Sequence, residues 1–191
     1  MLRMIGIDPG SRKTGIGIID YDPQTRQATC ILARVLRLDL EQELPERMGE
    51  LAKHLQAILA EYQPDQAALE DVFVGEHARS ALILGQARGA VLAMLGLAEI
   101  SVTSIAPRKV KQAITGHGQA DKNQVGEMIK LLLKLDKKPA EDAADALALA
   151  LAGVLAPTQA GTPKRTGTKQ KRQALYEIAQ AQGLLSAEQP Y

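Results

Sequence analysis

The spacing of apolar and polar residues in the first third of the chain predicts three strands followed by a helix. Residues 2–7 form an apolar run that ends at Asp8, and residues 14–19 form a second apolar run with interleaved glycines. A third strand is predicted at residues 28–36. From about residue 43 to residue 62, apolar positions recur at the spacing of a helix.

The chain then alternates between predicted strands and helices up to residue 155. A short strand at 66–69 precedes a helix at 77–97 that contains Gly85, Gly89 and Gly96, which we expect to allow close packing against a neighbour. The other predicted elements are a strand at 100–105, a helix at 107–114, a helix that starts with a capping box of Asp121 and Gln124, and a last helix at 140–155.

This order of elements indicates an α/β domain. Three strands, a helix, a strand, a helix, a strand and further helices suit a mixed five-stranded sheet in which an antiparallel hairpin is extended by parallel strands and flanked by helices. The same order is that of RNase H-like proteins. We therefore predict an RNase H-like domain over residues 1–156.

Residues 157–191 have a different composition and are predicted to be a flexible basic tail. Residues 158–163 are typical of a linker, and residues 173–182 have the pattern of a short amphipathic helix. The basic side chains either add salt-sensitive DNA affinity or keep a disordered end soluble. They are Lys164, Arg165, Lys169, Lys171 and Arg172.

The net charge of +1 hides an uneven distribution. Residues 1–156 carry 18 Lys and Arg against 20 Asp and Glu, a sum of −2, whereas residues 157–191 carry 5 against 2, a sum of +3. Composition therefore argues only weakly for a nucleic-acid partner. No secretory signal or membrane-spanning run is recognisable, and the single cysteine, Cys30, lies in an apolar run. We predict a cytoplasmic protein with a reduced, packed thiol.

Four carboxylates stand where folding alone does not require them. Asp8 and Glu70 each end an apolar strand, and Asp142 and Asp145 lie three residues apart in an apolar helix. This spacing places the last two side chains on one side of the helix. Clustered carboxylates repel one another unless protons or cations join them, and burying them without a partner is strongly unfavourable.

A divalent metal ion would relieve this repulsion. Oxygen ligands favour Mg²⁺, with Mn²⁺ as a substitute, and no Cys or His pair in the chain offers a zinc site. Carboxylates from two strand ends and a helix are the ingredients of a two-metal phosphodiesterase, in which one ion activates water and the other stabilises the leaving oxygen. The pattern thus predicts a nuclease-like site with two ions.

Each carboxylate taken alone also has an ordinary explanation. Asp8 fits the start of an Asp-Pro-Gly turn, and Glu70 fits a solvent-facing strand end. Asp142 fits a helix start, where the helix dipole favours acidic residues. Asp145 is harder to explain in this way, because it is the only polar residue within residues 143–152. The metal hypothesis depends on all four acting together.

Several segments resemble, in order, the signatures of the RuvC family of Holliday-junction resolvases. Together they are specific, although the first alone is a weak signal, and the resemblance covers roughly residues 1–155. The segments are Ile-Gly-Ile-Asp-Pro-Gly-Ser at 5–11 with Thr14-Gly15, Leu-Glu-Asp-Val-Phe at 69–73, Leu-Gly-Gln-Ala-Arg-Gly at 84–89, and Asp-Ala-Ala-Asp-Ala-Leu-Ala at 142–148.

The resemblance implies a Mg²⁺-dependent endodeoxyribonuclease of homologous recombination and repair. It implies a homodimer that binds four-way DNA junctions, makes paired symmetric nicks across them, and cooperates with a branch-migration motor of the RuvA and RuvB type. Lys111 and Lys122 match family lysines implicated in binding and catalysis. The catalytic metal ligands that the resemblance implies are Asp8, Glu70, Asp142 and Asp145.

Further DNA contacts are predicted around two loops. Arg108 and Lys111 belong to a basic cluster before the Gly116 loop, which suits phosphate binding or, alternatively, a solvated helix face. Phe73 matches a family aromatic that acts as a wedge at the junction, and its polar neighbours indicate an exposed loop rather than the core. The helix at 77–97 is the candidate dimer face, the alternative being ordinary packing on the sheet.

Three other functions compete with this interpretation. An actin-like ATPase or sugar kinase also opens with a strand and a phosphate-cradling turn, which residues 10–14 resemble, but such enzymes need two domains facing a cleft. An RNase H-like nuclease acting on RNA shares the fold. A non-catalytic junction-binding protein would not require four acids, whose charge opposes that of DNA.

Overall fold

The computed structural model describes residues 1–71 and 78–155, which contain five strands and five helices. The strands are β1 (Leu2–Asp8), β2 (Lys13–Asp22), β3 (Gln27–Arg37), β4 (Gln66–Glu70) and β5 (Ser101–Ile105), and the helices are α1 (Leu44–Tyr62), α2 (Ala78–Leu97), α3 (Pro107–Thr115), α4 (Lys122–Leu132) and α5 (Glu141–Leu155). Every element predicted within residues 1–155 is confirmed to within a few residues. The predicted wedge Phe73 and the tail at 157–191, including its helix at 173–182, lie outside the described residues.

The strands form one mixed sheet in the order β3-β2-β1-β4-β5. Strands β1, β2 and β3 pair antiparallel, whereas β4 pairs parallel to β1, and β5 parallel to β4. The predicted antiparallel hairpin extended by parallel strands is therefore confirmed. This topology brings the carboxyl ends of β1 and β4 to the same edge of the sheet.

Helices cover both faces of the sheet. The buried strand residues alternate between two apolar clusters, one on each face. On one face Ile5 and Ile7 pack with buried residues of α1 and α2. On the other face Met4 and Ala68 pack with α3, α4 and α5. Side chains of successive strand residues point to opposite faces, so Gly6 and Asp8 lie on the α5 side with Met4.

Helix α5 lies unusually close to the sheet because glycines face it. A β-carbon built on Gly6 would stand 2.0 Å from the carbonyl oxygen of Ala146, and one on Gly17 would stand 2.5 Å from the backbone nitrogen of Leu147. Only hydrogen fits at such distances. The predicted burial of α5 is confirmed, since nine of its residues are buried.

Two other features test local predictions. The capping box at the start of α4 is confirmed, since the Asp121 carboxylate accepts the backbone N–H of Gln124 and the Gln124 side chain accepts the N–H of Asp121. Cys30 is a half-buried free thiol whose pKa is raised by burial. Within residues 1–71 and 78–155, we find no helix long and apolar enough to cross a membrane.

The glycines of α2 do not pack against a neighbouring element within residues 1–71 and 78–155, and the predicted close packing against a partner subunit stays a prediction. A β-carbon at Gly85, Gly89 or Gly96 would meet nothing within 4 Å among these residues. The buried residues of the helix, Ala87 and Val91 among them, instead face the α1 side of the core. Helix α2 therefore packs through one face, and its glycine-bearing face is not covered by any of the residues that the structure describes.

Candidate active site

Asp8 and Glu70 meet because β1 and β4 are adjacent and parallel. In their register Ile7 lies opposite Leu69, so each acid is the next residue of its strand. Glu70 also shares strand parity with Ala68, which faces α5. Both carboxylates therefore project from the end of the sheet toward the same layer of helices.

The first two turns of α5 bring two more carboxylates to this edge. Gly15, which pairs with Asp8 across β1 and β2, approaches the helix so closely that a β-carbon there would stand 2.0 Å from the Asp142 carbonyl oxygen. Asp145 lies three residues further along the same face of the helix. The glycines of β1 and β2 thus determine how near these acids come to Asp8.

Three of the four predicted carboxylates line one small cavity of about 150 Å³. Its charged lining residues are Asp8, Glu70, Asp145, Lys111 and Lys122. The remaining wall is largely apolar and is formed by Pro107, Val110, Val125, Ala148 and Leu149. Asp142 does not line this cavity, although its charge still contributes to the potential at Asp8. The structure therefore brings together three of the predicted acids with both predicted lysines.

The cavity is strongly unfavourable to negative charge in the absence of a cation. Burial, followed by the charges of Glu70, Asp145 and Asp142, raises the pKa of Asp8 from its ordinary 3.8 to about 7. Burial is also the main reason that the pKa values of Glu70 and Asp145 are raised. Such coupled, desolvated acids are characteristic of functional sites.

Lys122 supplies the positive charge nearest to the acids of α5. Its ammonium donates a hydrogen bond to Glu141 at 2.5 Å and lies 3.5 Å from the Asp145 carboxylate. The bond to Glu141 is the main cause of the raised pKa of Lys122 and of the lowered pKa of Glu141. Both lysines lower the pKa of Glu70, Lys111 less than Lys122.

The donor set fits magnesium in its chemistry, although the acids do not form a closed cage. Among the residues that the structure describes, no three acidic, histidine or cysteine side chains already converge on one point suited to an ion. Magnesium keeps several waters and is commonly held by one or two carboxylates together with substrate phosphates. The carboxylates of Asp8, Glu70 and Asp145 meet that requirement, because burial desolvates all three and the charges of Glu70 and Asp145 also raise the pKa of Asp8.

Arg108 lies apart from this cavity. Its side chain is exposed at the start of α3 and packs over the loop at Gly118, where an added β-carbon would stand 2.7 Å from the Arg108 Cγ. The basic cluster predicted before the Gly116 loop is therefore divided: Lys111 faces the acids and Arg108 faces the loop.

Arg88 is a residue whose contact at this site the sequence did not reveal. Its guanidinium donates to the backbone carbonyl of Glu70 at 3.2 Å and to the Ser104 hydroxyl at 2.7 Å, so it ties α2 to the ends of β4 and β5. One signal was present, because Arg88 is the only charged residue between Ala81 and Leu97. A cation in so apolar a helix needs a specific partner.

Comparison with known proteins identifies the family. A family profile described as crossover junction endodeoxyribonuclease RuvC matches residues 4–153. The protein of that name from Halorhodospira halophila is 50% identical over 151 residues, which are 79% of this chain and 89% of the relative.

Solved structures agree with this assignment. Thermus thermophilus RuvC in complex with a Holliday junction substrate has a TM-score of 0.75 and 31% identity, covering 81% of this chain and 93% of that one. The yeast mitochondrial Holliday junction resolvase, at 14% identity, shares the fold with a TM-score of 0.58, covering 94% and 84% of the two chains. The predicted RNase H-like fold and family are thus confirmed, and this chain belongs to the RuvC family of crossover junction endodeoxyribonucleases.

Proposed function

We propose that this protein resolves four-way DNA junctions by paired, symmetric, Mg²⁺-dependent nicks. The observation that carries the proposal is the cavity at the ends of β1 and β4, where desolvated carboxylates and two lysines face one another in a member of a junction-endonuclease family. Such a cavity repels DNA phosphates unless cations are added to it. A metal-dependent phosphodiesterase accounts for both the acids and the lysines.

The carboxylates of this site have the role of metal ligands. Asp8, Glu70 and Asp145 would hold the ions from the cavity wall, and Asp142 would contribute from the adjacent turn of α5. Two bound Mg²⁺ ions would supply a nucleophile at neutral pH and would stabilise the charge of the leaving oxygen, with Mn²⁺ as a substitute. The protein's own part is to keep these acids desolvated and close together, which makes cation binding favourable.

Lys111 and Lys122 have the role of phosphate ligands. Both ammonium groups belong to the wall of the cavity, so a phosphodiester drawn toward the acids meets them. Lys122 is 62% exposed despite its contacts with Glu141 and Asp145, and a long flexible side chain can exchange those contacts for a phosphate oxygen. We assign Phe73 and Arg108 to contacts with DNA outside the cavity.

The uncovered face of α2 supports a homodimer. Paired nicks require two sites, and a two-fold dimer matches the pseudo-symmetry of a four-way junction. The exposed face carries no charged residue over the described side chains of the helix, and small residues there allow close helix approach. It consists of Leu82, Gly85, Gln86, Gly89, Ala93, Gly96 and Leu97. Cooperation with a branch-migration motor of the RuvA and RuvB type and a cytoplasmic location complete the proposal.

Cleavage of a synthetic mobile four-way junction tests this function. The junction is compared with linear duplex DNA and with an RNA–DNA duplex, in Mg²⁺, in Mn²⁺ and in EDTA. Wild-type protein is compared with Asp8→Asn and with Asp136→Asn, which removes an exposed carboxylate outside the site. We expect paired nicks on the junction alone, lost in EDTA and in Asp8→Asn and kept in Asp136→Asn.

The other outcomes would redirect the assignment. Tight junction binding without cleavage in either metal would make the protein a non-catalytic junction binder. Cleavage of the RNA–DNA duplex in preference to the junction would move it to RNA processing. Equal activity of Asp8→Asn and wild type would remove Asp8 from the catalytic site.

A further inference from the structure

A second concave site lies beside the turn between β1 and β2, on the α1 and α2 side of the sheet. It is a shallow groove of about 660 Å³. Its walls are formed by the turn, the end of β3 with the residues that follow it, and α2. The lining residues are Gly10, Ser11, Arg12, Lys13, Arg37, Leu38, Leu40 and Leu84. It shares none of them with the cavity of the candidate active site.

The groove is positively charged. Arg12, Lys13 and Arg37 are exposed, and none of the described lining residues is acidic. Acids do stand near them: Asp39 and Glu41 flank Leu40 in sequence, the Glu50 carboxylate accepts the backbone N–H of Asp39 at 3.3 Å, and Lys13 also acts on the charge of Glu141. Three cations with no acid among the described lining residues favour an anionic ligand.

The carbonyl oxygens of the turn already have hydrogen-bond donors within the protein. The Gly10 carbonyl accepts the Thr14 hydroxyl at 3.1 Å, and the Ser11 carbonyl accepts the Arg47 guanidinium at 3.1 Å. The Arg12 carbonyl accepts a backbone N–H at 3.0 Å. The negative ends of these peptide dipoles are therefore already satisfied, and the turn is held rigid before any ligand binds.

The floor of the groove is apolar. Leu38 is buried, whereas Leu40 is 48% exposed and completes the wall together with Leu84. A free phosphate ion has nothing to place against such a floor. A nucleic-acid backbone does, because it alternates charged phosphates with less polar sugars.

The groove also lies at the same end of the sheet as the catalytic carboxylates. Lys13 begins β2, and two residues later Gly15 pairs with Asp8 and contacts the first turn of α5. A DNA arm that leaves the catalytic cavity can therefore cross this end of the sheet and reach the turn.

We propose that the groove formed by Arg12, Lys13 and Arg37 binds the phosphodiester backbone of a junction arm, away from the nick. The proposal rests on the proposed function and extends its DNA-binding surface to the α1 and α2 side of the sheet. Residues 10–14 resemble the phosphate-cradling turn of nucleotide-binding enzymes, and in this proposal they contact DNA.

The salt dependence of junction binding tests this assignment. Binding of a labelled four-way junction is measured in EDTA over a range of salt concentrations for wild type, Arg12→Gln, Arg37→Gln and the double variant. Arg26→Gln is the matched control, because it removes the same charge from the β2–β3 turn at the opposite end of the hairpin. Arg12→Lys keeps the charge at the groove, and thermal melting checks that each variant is folded.

Affinity falls as salt rises, and each lost phosphate contact makes the slope of log affinity against log salt less steep by about 0.9. We expect a shallower slope in each single variant, a larger change in the double variant, and slopes near wild type for Arg26→Gln and Arg12→Lys. Unchanged slopes in the folded groove variants, or an equal change in Arg26→Gln, overturn the groove assignment.

Failure of the proposed function gives a different result. A wild-type protein that binds the junction and never cuts it contradicts the nuclease assignment, while the slopes still decide whether the groove contacts phosphates. A wild-type protein that binds no DNA contradicts both.

Discussion

Replacing Asp8 by asparagine is expected to stabilise the metal-free protein at alkaline pH, although it removes a proposed metal ligand. The carboxylate of Asp8 is held in a cavity where burial and the charges of three other acids oppose its ionisation. Asparagine has nearly the same shape and carries no charge. The variant therefore removes the electrostatic cost of the site and leaves the packing in place.

The size and sign of the effect follow from the pKa of Asp8. The unfolded chain loses this proton near pH 3.8, whereas the folded protein keeps it until about pH 7. Between these values the folded state binds the additional proton, so the free energy of unfolding falls as pH rises, and the loss is complete above pH 7. One pKa unit corresponds to about 1.4 kcal/mol, so the full shift corresponds to about 4 kcal/mol.

Part of this fall in the free energy of unfolding has already occurred at pH 5. Asp8 also keeps some contact with solvent, which screens its charge. We therefore expect Asp8→Asn to gain about 2 kcal/mol in unfolding free energy, relative to wild type, between pH 5 and pH 8.5. Urea denaturation in EDTA at both pH values measures this difference. Asp136→Asn, at an exposed position, serves as the control whose effect should not change with pH.

Adding Mg²⁺ at pH 8.5 should reverse the order of stability. The wild-type protein gains stability from an ion that binds only the folded state, and the asparagine variant gains less. An asparagine variant with the same stability relative to wild type at pH 5 and pH 8.5 would refute the claim that Asp8 is an electrostatically strained acid. A Mg²⁺ effect of equal size in both proteins would refute its role as a metal ligand.

Three further predictions concern residues around the site. Arg88→Met should lower the cleavage rate at saturating junction at least tenfold, because the guanidinium positions the Glu70 backbone. The free energy of unfolding without Mg²⁺ should fall by only about 1 kcal/mol. A loss of stability in urea denaturation large enough to explain the lost activity would contradict this. Gly6→Ala should cost about 3 kcal/mol in the same measurement, because the new β-carbon meets the Ala146 carbonyl. Gly49→Ala, in open space on α1, should be neutral or stabilising. Gly89→Arg should shift the protein from dimer to monomer in light scattering, and an unchanged mass would contradict the proposed α2 interface.

Local patterns determined most of the secondary structure. The capping box at Asp121 and Gln124 and the apolar run of α5 depend on residues close together in the chain, which is why they could be predicted from the sequence. The same patterns identified Asp8 and Glu70 as acids at the ends of apolar strands, and Asp145 as the only polar residue within residues 143–152. They predicted Asp142 as a fourth ligand of the same kind, but Asp142 is not among the residues that line the cavity.

What the sequence by itself determined was therefore the order of the elements and the chemical identity of the site. Only the tertiary structure decided which side chains meet. The pairing of β1 with β4 brings together residues about 60 positions apart, and the close approach of α5 depends on Gly6, Gly15 and Gly17 facing it. The contact of Arg88 with Glu70 and the basic groove at the β1–β2 turn have the same origin. Such contacts arise from many weak interactions between distant segments, whereas periodicity records only the preferences of neighbouring residues.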